Sequence, residues 1–211
     1  MSTKNAPGGQ LNDQKRPSFI EAARRAQLIE CAIETMATLG YAQASLAQIA
    51  KCAGISKSAI TYYFSSKEEL IEQVVTAIFQ DAAASIGPQV AAEASPALQL
   101  HAYIRSHVAY ISAHLAQMRA IMEIVRNVRT EEGKPRYGAP AAEPVRAALE
   151  ALLRKGQQAG EFREFDVRVM AVTIRSAIDA LSPYLIANPQ VDAELYAGEL
   201  VALFDRATRM E

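Results

Sequence analysis

The stretch GISKSAITYYFSSKEEL, residues 54–70, decides the fold. It carries two marks of helix boundaries. Gly54 suits the left-handed conformation that ends one helix, and Ser56 suits the cap that opens the next. Ser66-Lys-Glu-Glu69 then reads as a capping box, in which a hydroxyl and an acid satisfy orphan N–H groups at a helix start. Between these marks lies a short helix over 57–63. Ile55, Ile60 and Phe64 are its core positions. Lys57, Ser58, Ala59, Thr61, Tyr62 and Tyr63 are less committed to a core. Short hydroxyls, a methyl and a lysine at a helix start suit base edges in a major groove, and tyrosine hydroxyls suit phosphate oxygens.

The same grammar extends along the chain. Ser18-Phe-Ile-Glu21 and Ser45-Leu-Ala-Gln48 are further capping boxes, and Ser95-Pro96 places proline at a first helical position. Leu28, Cys31, Ile33 and Met36 recur at helical spacing, as do Leu70, Ile71, Val74, Val75, Ile78 and Phe79. Strand-like alternation is almost absent. The expectation is an all-α protein of about nine helices, near 18–39, 46–53, 57–63, 67–86, 96–116, 118–129, 144–158, 166–187 and 191–208. Gly40, Gly54, Gly87-Pro88, Gly160 and Asn188-Pro189 punctuate them. Residues 130–144 form the one long break, the kind of loop that is usually functional or mobile.

The chain has 211 residues, half of them apolar, enough for a substantial core. No apolar run approaches about 18 residues, so no membrane partner is expected. Residues 1–17 lack the apolar block of a secretory signal and read as a flexible polar tail, and a cytoplasmic protein is expected. The net charge of −1 hides an asymmetry: up to Phe64 there are seven Lys or Arg against four acids. A basic front suggests that this end meets a polyanion. Cys31 and Cys52 lie in helical patterns without metal-ligand spacing and are expected to be reduced core thiols. No Gly-rich phosphate loop, zinc-ligand spacing or nucleophile elbow appears, so neither an enzyme, a cofactor nor a metal is expected.

Residues 24–72 resemble the DNA-binding domain of the TetR family of bacterial transcriptional regulators. The resemblance rests on the run Ile29 to Tyr41, then Ser45-Leu-Ala-Gln-Ile-Ala50, Ala53-Gly-Ile-Ser-Lys57, Tyr62-Tyr63-Phe64 and Ser66-Lys-Glu-Glu-Leu70. It implies a helix-turn-helix DNA-binding domain over 18–66 and a helical ligand-binding and dimerisation domain over 67–211. By position, Ser45, Tyr63 and Lys67 resemble the family's phosphate contacts, and Lys57, Ser58, Ala59 and Tyr62 its groove-facing residues. Ser58, Ala59 and Thr61 depart from the glycine, threonine and tyrosine common in the family, so the base sequence read is this chain's own. Lys15 and Arg16 offer a further phosphate or minor-groove contact, or else a solvated tail.

In the rear, Tyr103, His107, Tyr110 and His114 follow i, i+4, i+7 and i+11 and form one helix stripe beside an apolar one. That stripe reads either as the wall of a ligand pocket or as an amphipathic margin with wet polar tips. Met118, Met122 and Arg126 form a second stripe, suited to an adaptable anion-bearing ligand or to plain core packing. Arg175 and Asp179, four apart, suit an internal ion pair, a ligand contact or a surface pair. Met170, Ile174, Ile178, Leu181 and Leu185, with Leu195, Leu200, Val201, Leu203 and Phe204, are expected to supply a homodimer face through the helices near 166–187 and 191–208. The expected function is a ligand-released repressor that binds near-palindromic double-stranded operator DNA as a dimer, controlled by an unknown small molecule. The fourth helix is the expected lever. The alternatives are a helical adaptor, or an activator without small-molecule control.

Overall fold

A computed structural model describes residues 19–137 and 143–210. The architecture is all-helical: α1 (Phe19–Leu39), α2 (Leu46–Cys52), α3 (Lys57–Tyr63), α4 (Lys67–Ala91), α5 (Pro96–Ala113), α6 (Leu115–Asn127), α7 (Glu143–Gln158), α8 (Val167–Asp179), α9 (Leu181–Ala187) and α10 (Ala193–Thr208). Ser18, Lys15, Arg16 and the tail over 1–17 lie outside the described residues.

The caps behave as their chemistry dictates. Ser45, Ser56, Ser66 and Ser95 each accept a hydrogen bond from a backbone N–H one turn into α2, α3, α4 and α5. Asp166 and Asp192 do the same for α8 and α10. Gly54 adopts φ +68° at the turn between α2 and α3, where a side chain would strain the backbone.

Two prolines set elements differently from expectation. The helix expected over 166–187 is two helices. Pro183 has no N–H to offer the Asp179 carbonyl and its ring crowds that group, so α8 ends at Asp179. By contrast, α4 runs through Gly87-Pro88 to Ala91. There the Gln89 amide donates to the Ser85 carbonyl at 2.8 Å, and the Ala92 N–H closes on the Pro88 carbonyl at 3.0 Å.

The core divides into two clusters. The front one joins α1, α2 and α3 to the first half of α4 and to Ala120, Ile124 and Val128 at the end of α6. The rear one joins α5, α7, α8, α9 and α10. Met118 packs against both. Part of the long break is ordered onto the front: Arg129 and Pro135 form an isolated bridge, and Tyr137 packs on the front cluster. The rest of that break, 138–142, lies outside the described residues.

In the rear cluster, Gly156 of α7 faces the Phe162 ring so closely that a Cβ would overlap it. Phe162 is itself buried. Gly156→Ala is therefore expected to cost about 1–3 kcal/mol through forced displacement of the ring, read as a lowered thermal midpoint with operator binding retained at low temperature.

Candidate nucleic-acid interface and rear polar cluster

The front cluster holds α3 by one side only. Ile60 and Phe64 are fully buried, and Arg25 of α1 lies 4.3 Å from the Phe64 ring centroid while donating to the Tyr63 carbonyl. The same guanidinium meets Glu69 of α4 at 3.1 Å. Glu69 in turn accepts from the Ser65 N–H and hydroxyl, which, with Arg25, hold its carboxyl below the usual range. One arginine thus ties α1, α3 and α4 together.

The opposite side of α3 is open. Lys57, Ser58, Thr61 and Tyr62 are exposed, and Ala59 and Tyr63 half-buried. Tyr62 has 76% of its surface free, a large aromatic presented to solvent. It stands edge-on to Tyr63, ring centroids 5.0 Å apart, so the two rings brace each other. Ser58 and Ser56 hydroxyls are 3.0 Å apart, and the Thr61 hydroxyl donates to the Ser58 carbonyl at 2.8 Å. Ser45, exposed at the start of α2, already accepts the Gln48 N–H and keeps a hydroxyl proton for a further partner.

Lys67, expected at a phosphate, is placed against the turn between α1 and α2. Its ammonium donates to the Tyr41 carbonyl at 2.7 Å and lies 4.0 Å over the Tyr41 ring. Burial pulls its pKa down, against the opposing effect of Glu68. Its ammonium is therefore anchored at the turn between α1 and α2, with N–H donors left over. Glu123 of α6, which sequence reading missed, grips that same turn: its carboxylate accepts the Tyr41 N–H at 2.8 Å. A lone glutamate four residues before Asn127 carries no periodic signal, so only the tertiary contact reveals it.

In the rear, the Tyr103 stripe splits. Tyr110 donates to Asp81 of α4 at 2.8 Å and stacks on His114, whose Nε2 is 3.8 Å from the same carboxylate. Burial, then Asp81, pushes the Tyr110 hydroxyl pKa up. These two residues fasten α5 to α4. Tyr103 and His107 instead face α8. Their rings are 4.1 Å apart, and Arg175 donates to the Tyr103 hydroxyl at 3.4 Å and pairs with Asp179. The His107 Nδ1–H donates to the Tyr103 carbonyl at 2.7 Å. Ser182, in the first turn of α9, is buried with a hydroxyl that has no partner among the described residues. Met118 and Met122 are half-buried on α6, whereas Arg126 is exposed.

Burial, reinforced by the Arg175 charge, lowers the His107 pKa from 6.5 to about 4. The unfolded chain therefore binds a proton between these values that the folded one refuses, so stability falls as pH drops through that window. A thermal midpoint that declines from pH 6.5 to 4 should flatten over that window in His107→Gln.

Of the residues expected on a dimer face, Leu195 and Leu203 are free and Met170 lines an open groove, whereas the others turn inward. Ile174, Ile178, Leu181, Leu185, Leu200, Val201 and Phe204 are buried in their own protomer. The free apolar residues are Val169 (63% exposed), Val172, Tyr184, Leu195 and Leu203 (57% exposed). Val169, Leu203 and neighbouring Phe165 and Met170 line a shallow apolar groove between α8 and α10. By length and composition the span Val167–Ala187 is apolar enough to cross a membrane, but it is interrupted after Asp179 and holds the Arg175–Asp179 pair. Among the described residues, no three His, Cys, Asp or Glu side chains gather as a metal site requires.

Comparison with known proteins follows this division. Residues 28–74 match the family described as bacterial regulatory proteins, tetR family, and residues 93–182 match the tetracyclin repressor-like C-terminal domain. The HTH-type transcriptional regulator BetI of Ectopseudomonas mendocina is 37% identical over 87 residues, covering 40% of this chain and 44% of that protein. The chain spans about half or less of the length of the BetI regulators it matches, 44%, 31% and 52% in three of them. The fatty acid metabolism regulator protein of Bacillus subtilis is 24% identical over 84% of this chain and 88% of its own length. The fold of FadR from Bacillus subtilis, solved in complex with stearoyl-CoA, superposes with a TM-score of 0.73 at 22% identity, covering 84% of this chain and 96% of that one.

Proposed function

The chain belongs to the TetR family of bacterial regulatory proteins, and on that premise we propose that it is a dimeric repressor released from its operator by a small molecule. It is a DNA-binding transcriptional regulator. The reading of which residues meet DNA rests on one observation: α3 buries Ile60 and Phe64 completely while leaving Lys57, Ser58, Thr61 and Tyr62 outside. A helix so divided offers a groove-sized ridge, with Lys57 reaching guanine acceptors or phosphate and Tyr62 and Tyr63 flanking the backbone. Ser45 adds a hydroxyl from the start of α2. Lys67 supports this surface from behind through Tyr41.

Two copies meet through the Val169 and Leu203 face, presenting two α3 helices about a two-fold axis. The ligand enters the rear near Tyr103, His107, Arg175, Asp179 and Ser182. A hydroxyl without a partner and a neutral imidazole beside a guanidinium suit a polar or acidic head group. Leu100, Ile104 and Ile178 supply apolar wall for a hydrophobic body. An acyl compound is the first class to try, since one relative is a fatty acid regulator and one neighbour was solved with stearoyl-CoA. Met118 and Met122 adapt the adjoining wall. Release follows when the ligand favours a state in which α4 and α6 shift. Asp81 links α4 to the Tyr110 region, and Glu123 links α6 to the reading head. Only a difference in ligand affinity between two states drives this.

Fluorescence anisotropy with upstream duplex DNA at two salt concentrations tests the reading. Tight, sequence-dependent, salt-sensitive binding is expected. Stearoyl-CoA should weaken it, and Arg175→Ala should blunt that response while DNA affinity without ligand stays unchanged. An operator affinity indifferent to saturating acyl ligands would reject that ligand class. Glu123→Ala should separate the two activities, leaving ligand binding intact and reducing the loss of DNA affinity that the ligand causes.

A further inference from the structure

We propose that Asp179 is an internal stand-in for the ligand's acidic group: it holds the Arg175 guanidinium until a carboxylate or phosphate of the ligand displaces it, and so sets how strongly the rear site prefers acids. This deepens the ligand reading given above and rests on it.

The two members of the pair are held unequally. Arg175 has 20% of its side chain open, Asp179 59%. The guanidinium is fixed from within: it donates to the hydroxyl of Tyr103 on α5 at 3.4 Å, and Tyr103 is buried with its ring against His107. The Asp179 carboxylate accepts from Arg175 on the open side. An exposed carboxylate is already largely hydrated, and an exposed ion pair contributes little, so Asp179 can turn out into water cheaply. Arg175 cannot follow it without leaving Tyr103.

The place of Asp179 in its helix points the same way. It is the last residue of α8, and that last turn carries no basic residue. The free carbonyls at a helix C-terminus carry partial negative charge, which disfavours a carboxylate there. Helix stability therefore gives no reason for an acid at this position, whereas Arg175, one turn back, does. In the empty protein Asp179 neutralises a guanidinium that would otherwise sit half-buried and unpaired.

The exchange is charge for charge. Arg175 keeps further N–H donors beyond those given to Tyr103 and Asp179. A carboxylate or phosphate meets a guanidinium fork with two oxygens, a stronger contact than a single one. The arriving acid also meets repulsion from the carboxylate that it displaces, so Asp179 lowers the affinity for acids specifically. A neutral ligand leaves the pair in place.

Asp179→Asn keeps the shape and removes the charge, at an exposed position where the thermal midpoint should barely move. Fluorescence titrations use cis-parinaric acid and cis-parinaryl alcohol, with competition by stearoyl-CoA, and need no operator. The preference for the acid over the alcohol should rise about tenfold in Asp179→Asn, and Arg175→Ala should abolish it with or without that change. A gain for the free acid identifies a carboxylate as the natural group, and a gain confined to stearoyl-CoA identifies its phosphates. A preference for both acids that stays unchanged or falls in Asp179→Asn overturns the proposal, while binding by the wild-type protein leaves the acyl reading standing. A protein that binds none of the three compounds in either form overturns both.

Discussion

Lys57→Ala combined with Tyr62→Ala is expected to lower operator affinity by about a hundredfold or more, while the thermal midpoint barely moves. Each side chain at a groove or phosphate contact is worth about 1–3 kcal/mol, and the two lie five residues apart on one helix. Neither belongs to the core: Lys57 is exposed, and Tyr62 has 76% of its surface free. Surface changes of this kind usually alter stability by less than about 0.5 kcal/mol. The Lys57 part of the loss should also reduce the salt dependence of binding by about one counterion. Anisotropy titrations over a salt series, with calorimetry on the same samples, separate these effects. A parallel loss of stability would mean that the ridge belongs to the core after all.

The second large effect concerns assembly. Val169→Asp with Leu203→Asp should convert the dimer to monomer and remove most operator affinity without touching α3. Both residues stand on an apolar groove that their own protomer leaves uncovered. A carboxylate buried without a partner at such an interface is strongly unfavourable. A lone reading head then loses the advantage of linked binding, which reaches a factor of about a hundred or more. Light scattering should report half the native mass, and circular dichroism an unchanged helix content. The control is Ile174→Asp, a fully buried position, which should unfold the protomer instead.

The reading head was legible because its signals are local. Ser45, Ser56 and Ser66 cap the helices they were expected to open, and Gly54 takes the turn. The break after Asp179 was within reach, since Pro183 alone explains it. The continuation through Pro88 was not, because a proline near a helix end is compatible with either outcome. Faces were harder than elements. On α8 apolar residues occur nearly all round, so periodicity could not say whether Ile174 or Val169 is covered by its own protomer. Lys67 illustrates the same limit: its place at a helix start suits phosphate, and its contact with Tyr41 from a distant turn is visible only in the fold. Cys52, expected in the core, is exposed at the end of α2. Glu123 depends on a contact between elements, which spacing along one helix does not encode.

The most direct measurement is selection of bound duplexes from a random pool by the wild-type protein, followed by sequencing. Two α3 helices related by a two-fold axis should enrich a near-palindrome whose half-sites lie about one helical turn, or a multiple of it, apart. The same pool should yield no enrichment with the Lys57→Ala, Tyr62→Ala protein. Recovery of an unpaired single site, of no consensus at all, or of the same palindrome by the double variant would contradict the claim that the open face of α3, presented twice, reads the operator.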